Sequence, residues 1–119
     1  MACILIVEDN PNNMKLAALL LENAGHEVLR AEDALRGLDL ARAHLPDLVL
    51  MDIHLPGMDG LTATRVLKAD DKTSHIKVIA LTAFAMVGDA QKMQDSGCDG
   101  YIAKPIRYKQ FLQAINTLL

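Results

Sequence analysis

Three uninterrupted apolar runs constrain this chain more than any other feature: Cys3-Ile4-Leu5-Ile6-Val7, Leu48-Val49-Leu50-Met51 and Val78-Ile79-Ala80-Leu81. Each is too short for a helix, and each is bounded by polar, proline or glycine positions. None alternates apolar with polar, as a strand with one wet face would. They therefore read as strands buried on both faces, the pattern of a parallel sheet covered by helices on either side. Half of the residues are hydrophobic, enough for one core in a chain of 119 residues. The chain holds no Trp, two Tyr and two Phe, so that core is built from Leu, Ile, Val, Ala and Met.

The segments between the runs supply the helices. Asn10 stands as N-cap before Pro11, and Ala17, Leu20, Leu21 and Ala24 recur at helical spacing up to a stop at Gly25. Leu16 and Leu19 fall outside that stripe, on a helix whose start adjoins Asp9; two neighbouring exposed leucines hint at a docking face. His26 to Arg30 is a weaker strand placed near an edge. Asp33 caps a helix to about His44, with Gly37 a weak point inside it. After the central strand come the turn glycines Gly57 and Gly60, then a helix from Leu61 to Ala69. The strand Lys77–Leu81 ends at Thr82, and a helix is expected over roughly Ala85–Ser96, stopped by Gly97. A short strand, Gly100–Ala103, and an amphipathic helix, Tyr108–Leu119, close the chain. Five strands alternating with five helices predict a flavodoxin-like (βα)5 three-layer α/β sandwich with strand order 2-1-3-4-5, one domain over residues 1–119.

Composition narrows the function classes. A net charge of −3 with no basic stripe argues against nucleic acid as a direct partner. Cys3 and Cys98 have no motif spacing and read as reduced thiols. The four histidines are dispersed and suggest no zinc site, and the methionines read as gap fillers of the core and of helix faces. With neither a signal-peptide pattern nor an apolar run long enough to span a bilayer, the expectation is a cytoplasmic protein.

The carboxyl ends of the strands carry the chemistry, because open α/β sheets bind ligands there. The first ends at Glu8-Asp9, the third at Asp52, the fourth at Thr82 and the fifth at Lys104. In the order 2-1-3-4-5 the first and third strands are neighbours across the switch point, so Glu8, Asp9 and Asp52 converge. Three carboxylates together call for a cation, and a hard ion that takes few protein oxygens, Mg²⁺, suits them best. Taken singly, Asp52 reads equally as a loop cap, Thr82 as a helix N-cap and Lys104 as a solvated lysine. Jointly, a carboxylate nucleophile, a divalent cation, a hydroxyl and an ammonium are the parts that move a phosphoryl group, with Asp52 forming an acyl phosphate.

The set Glu8-Asp9, Asp52-Ile53-His54-Leu55-Pro56-Gly57-Met58-Asp59-Gly60, Thr82-Ala83 and Tyr101-Ile102-Ala103-Lys104-Pro105 resembles the receiver domain of two-component response regulators over the whole chain. The run Ala80–Met86 is further similar to single-domain cell-cycle regulators of that family. The resemblance implies Asp52 as phosphoacceptor, and Asp9, Asp52 and the His54 backbone carbonyl as Mg²⁺ ligands with Glu8 assisting. It also implies Thr82 and Lys104 on the phosphoryl group, Tyr101 as an aromatic that follows Thr82, and a cis Lys104–Pro105 bond. Asn12, Leu16, Leu19 and Pro105 would then belong to the surface that meets a histidine kinase or histidine phosphotransferase. Output would pass to a downstream protein through contacts, with the chain itself a signalling module rather than an enzyme and with no output module after its last helix. Cys98 stands where many relatives have Ala.

A receiver module cut from a longer hybrid kinase or response regulator would carry the same residues and stays an open alternative. Three others are weaker. A phosphatase of the haloacid-dehalogenase type also forms an aspartyl phosphate, but it usually wants a second Asp two positions after the nucleophile, where His54 stands. An FMN carrier of this fold would have its phosphate repelled by Glu8-Asp9. An interaction protein that is never phosphorylated would not need the complete acidic and basic set. For the lifetime of an acyl phosphate, Phe84 has two readings: a ring that shields the phosphorus from water, or one that packs into a helix interface.

Overall fold

The computed structural model of the protein describes residues 2–83 and 89–119. Among these, five strands alternate with five helices: β1 Cys3–Val7, α1 Pro11–Asn23, β2 Glu27–Ala31, α2 Ala34–His44, β3 Leu48–Asp52, α3 Gly60–Ala69, β4 Lys77–Thr82, α4 Asp89–Asp95, β5 Gly100–Ala103 and α5 Tyr108–Leu118. The strands form one parallel sheet in the expected order β2-β1-β3-β4-β5. The weakly patterned β2 lies at an edge, as its sequence predicts. The part of the expected fourth helix before Asp89 lies outside the described residues, and so does Phe84.

The continuous apolar runs have a plain physical reason. Along a strand successive side chains point to opposite faces. Ile4, Ile6, Leu48, Leu50, Ile79 and Leu81 pack with α1 and α5 around Phe111 and Ile115. Leu5, Val7, Val49, Met51 and Val78 pack with α2 and α3 around Leu38, Ala41 and Leu67. Both faces are therefore dry, and β3 is buried at every position.

The helices show how packing refines the sequence pattern. Asn10 caps α1 by accepting from the amides of Asn12 and Asn13, and Gly25 follows the helix with φ +92°. The buried stripe of α1 is Met14, Ala17, Ala18 and Leu21. Ala24, expected in that stripe, is exposed because it is already the C-cap, while Met14 one turn from the start fills the core. Gly37 is a site of close approach rather than a weak point: a Cβ there would stand 2.7 Å from Cγ2 of Val7, so the missing side chain lets α2 lie directly on β1. No helix among the described residues is long and apolar enough to cross a membrane.

Candidate functional site

The sheet ladder places the site residues. The Glu8 amide donates to the Ala31 carbonyl at 3.0 Å and so continues β1 by one residue. The Ile53 amide donates to Leu81 at 3.1 Å, which holds the end of β3 against β4. The Lys104 amide donates to the Thr82 carbonyl at 2.7 Å, carrying β5 out to the same edge. Glu8, Asp9, Asp52, Thr82 and Lys104 thus arrive together at the carboxyl ends of the strands.

Glu8 and Asp52 are almost wholly buried, Thr82 is fully buried, and Asp9 is exposed at the rim. Lys104 Nζ lies between two carboxylates, 2.8 Å from Glu8 Oε1 and 3.1 Å from Asp52 Oδ2. The first contact is ionic without the direction of a hydrogen bond, since buried Glu8 Oε1 has no hydrogen-bond partner. The other oxygen of Asp52, Oδ1, accepts from the His54 amide at 2.9 Å. Asp52 is therefore aimed by the backbone two residues on and by the lysine across the site.

One ammonium does not balance this much buried negative charge. Burial, and then the Asp52 carboxylate beside it, push the Glu8 carboxyl up to about 7. Burial also pushes Asp52 upward, but Glu8, the His54 amide and Lys104 outweigh it and hold Asp52 below its usual range. Burial works against the Lys104 charge too; Glu8 and Asp52 override it and raise the lysine. Of the two buried carboxyls, Glu8 is the one shifted toward the protonated form and Asp52 the one shifted toward the carboxylate.

The donor set fits a hard divalent cation. One oxygen from each of Glu8, Asp9 and Asp52 lies within 4.8 Å of the others. The set is all-oxygen, holds the orphaned Glu8 Oε1, and carries more negative charge than Lys104 neutralises.

Residues 4–116 match the family described as "Response regulator receiver domain". The chain belongs to the response regulator receiver family. Along its length it is 51% identical, over 116 residues, to the polar-differentiation response regulator DivK of Brucella anthropi, covering 98% of this chain and 94% of that one. Its fold superimposes on the chemotaxis response regulator CheY4 of Vibrio cholerae with a TM-score of 0.95 at 24% identity, covering 100% of this chain and 99% of that one. It is also similar to the receiver domain of a sensor histidine kinase from Pseudomonas aeruginosa, with a TM-score of 0.91, 32% identity, and coverage of 98% and 96%. The cleft of that domain coordinates a magnesium ion.

The remaining expected residues of this receiver lie around the edge. The Lys104–Pro105 bond is cis, and Pro105 is exposed. Tyr101 is 52% exposed on the face of the sheet that Thr82 and Ala103 share by register. Asn12, Leu16 and Leu19 are all exposed on α1. Leu19 turns toward a groove between α1 and β2, which Met14, Lys15 and Arg30 also line. Sequence reasoning read Gly60 only as a turn glycine and missed that its backbone lies against the Asp52 carbonyl. The structure shows that α3 already begins at Gly60 and that only Gly57 has the positive φ of a turn glycine.

Proposed function

We propose that this receiver accepts a phosphoryl group on Asp52 from the phosphohistidine of a histidine kinase or histidine phosphotransferase, and that residues 1–119 act as one phosphoacceptor domain. The observation that carries the reading is the nearly buried Asp52 held between the His54 amide and Lys104, beside Glu8 and Asp9. A carboxylate oxygen of Asp52 attacks phosphorus, the P–O bond forms as the P–N bond to the imidazole breaks, and the histidine leaves with that electron pair. Lys104 and the Thr82 hydroxyl would each hold one of the phosphoryl oxygens. Glu8, Asp9, Asp52 and the His54 backbone carbonyl would hold Mg²⁺, which neutralises charge on the transferring group. The relative with a magnesium ion in its cleft supports that assignment.

Signal output would run through Thr82 and Tyr101. Drawn toward the new phosphoryl group, Thr82 vacates space into which the exposed Tyr101 ring turns, changing the α4–β5–α5 face for a downstream protein. The work of such a module is its own phosphorylation and dephosphorylation in the cytoplasm. Incubation with a small phosphodonor and Mg²⁺, followed by intact mass, tests the chemistry. One phosphoryl group is expected on the wild type and none on Asp52→Asn; labelling of Asp52→Asn at the wild-type rate would remove Asp52 from its role. Amide shifts of the labelled sample should extend to Thr82, Tyr101 and α5; shifts confined to the pocket would defeat the switch.

Donor docking is assigned to Asn12, Leu16, Leu19 and Pro105. Burying two leucines contributes roughly 2–4 kcal/mol. Leu16→Glu should therefore slow transfer from a protein donor and spare labelling by a small one. Equal loss with both donors would place Leu16 in the fold instead.

A further inference from the structure

The turn after β3 holds two glycines that are glycine for opposite reasons. Gly57 has φ +75°, and a Cβ added there would meet nothing within 4 Å: it answers a conformational need. Gly60 has no positive φ and opens α3, where alanine suits the backbone better than glycine. A Cβ on Gly60 would collide with the Asp52 carbonyl oxygen and stand 2.8 Å from both the Asp52 carbonyl carbon and the Ile53 Cα. These are backbone atoms, which cannot swing aside as the end of a side chain can. Gly60 thus answers a need for space, and the space it leaves is taken up by the peptide that joins Asp52 to Ile53.

We propose that Gly60 is a positioning residue for the phosphoacceptor: its bare Cα lets the first turn of α3 back the Asp52–Ile53 peptide, and so sets the aim of the Asp52 carboxylate. The inference rests on the reading of Asp52 as phosphoacceptor. Three contacts tie the parts together. The Gly60 amide donates to the Ile53 carbonyl at 3.4 Å. The buried Thr64 hydroxyl donates to the Gly60 carbonyl at 2.8 Å, fixing where the glycine sits on its helix. The His54 amide, one residue past the backed peptide, donates to Asp52 Oδ1. A side chain at Gly60 would push the peptide away from α3, and the carboxylate would lose its alignment to the His54 amide and to Lys104. The turn and the nucleophile are thereby one rigid piece.

The test compares Gly60→Ala, Gly57→Ala and the wild type, each checked for folding by circular dichroism. Labelling rates with a small phosphodonor and Mg²⁺ are measured over a range of donor concentrations. For Gly60→Ala the plateau rate should fall roughly tenfold or more, with the donor concentration at half-plateau unchanged. Its His54 amide resonance should move in the unlabelled protein. Gly57→Ala should lower the unfolding midpoint yet label at the wild-type plateau rate. A Gly60→Ala that labels like the wild type, or a Gly57→Ala slowed as much, overturns the inference. If Gly60→Ala does not fold, the decision passes to Thr64→Val, which adds no volume at Gly60 but removes the bond that fixes it. A slower plateau with a shifted His54 amide then supports the inference, and wild-type behaviour overturns it. An unlabelled wild type would instead defeat the phosphoacceptor reading, and this inference with it.

Discussion

Two lysines, at opposite ends of the strands β4 and β5, sit in nearly the same degree of shelter and meet different surroundings. Lys68, in the last turn of α3, and Lys104, past β5, have side chains 22% and 17% exposed. Lys68 Nζ donates to the Ile76 carbonyl at 2.8 Å and to Asp99 Oδ2 at 3.0 Å. Asp99 Oδ2 also accepts from the Val78 amide at 2.9 Å, so one lysine meets one carboxylate, and a backbone carbonyl and a backbone amide join the pair. That network is closed, and it ties α3 to the starts of β4 and β5. Lys104 faces Glu8 and Asp52 with exposed Asp9 close by, and there the charges do not balance. Shelter is therefore not what separates these two lysines. The difference lies in the charge left over.

The largest expected effect follows from removing each cation in turn. Lys104→Met should slow phosphorylation by roughly 10²–10³-fold, the usual loss when one charge-stabilising group leaves a site. Lys68→Met should leave the labelling rate at the wild-type value. Equal slowing by both, measured as phosphoryl gain by intact mass, would erase the distinction.

Next in size is a pH dependence that only the acidic edge should show. The Glu8 carboxyl is raised from its ordinary 4.5 to about 7. A raised carboxyl favours the fold while protonated. Its contribution is whole below 4.5 and is lost as pH rises through about 7. Asp52, lowered from 3.8, runs the other way, and Lys104, raised from 10.5, acts only at high pH, so neither fills this window. Between about pH 5 and 8, in chelator, the protein should lose up to roughly 3 kcal/mol of stability, because each tenfold change in proton affinity is worth about 1.4 kcal/mol. Urea midpoints across that range should slope downward for the wild type and flatten for Glu8→Gln. A flat wild-type profile would mean that Lys104 balances the site after all. Mg²⁺ should oppose the trend, because it competes with the proton for Glu8.

The smallest effect is on the closed network. Lys68→Met leaves the Ile76 carbonyl and Asp99 short of a donor, at a cost of about 1–3 kcal/mol of stability, read from the unfolding midpoint. A cost below a few tenths would show the pair to be a surface decoration.

Much of this molecule could be read before it was seen. The dry strands announced the parallel sheet, because a run such as Ile4-Leu5-Ile6-Val7 has no wet face to offer. The strand ends then named Glu8, Asp9, Asp52, Thr82 and Lys104, because sheet order alone brings them to one edge. Caps were legible for a similar local reason: Asn10 and Asp33 each accept amides of their own helix, whereas the cap of α3, Asp59, was not foreseen. Less could be read where distant residues decide. Nothing local distinguishes Glu8 from Asp9, yet one is buried against Lys104 and the other lies at the rim. Leu45 occupies φ +48°, a left-handed C-cap more often given to glycine or asparagine, which helix-stop rules do not foresee.

The sequence by itself determined the architecture, through the periodicity of its apolar runs, and the family, through the motifs at its strand ends; both are written in the order of residues along the chain. Only the tertiary structure decided how those residues share charge and space. Lys104 reaches Glu8 and Asp52 across 96 and 52 positions of sequence, by 104 − 8 and 104 − 52. Gly37 is bare because Val7 arrives against it, and Gly60 because the Asp52 carbonyl does. Desolvation, Coulomb balance and steric exclusion depend on distances between residues far apart in the chain, and those distances exist only once the sheet and its helices have packed.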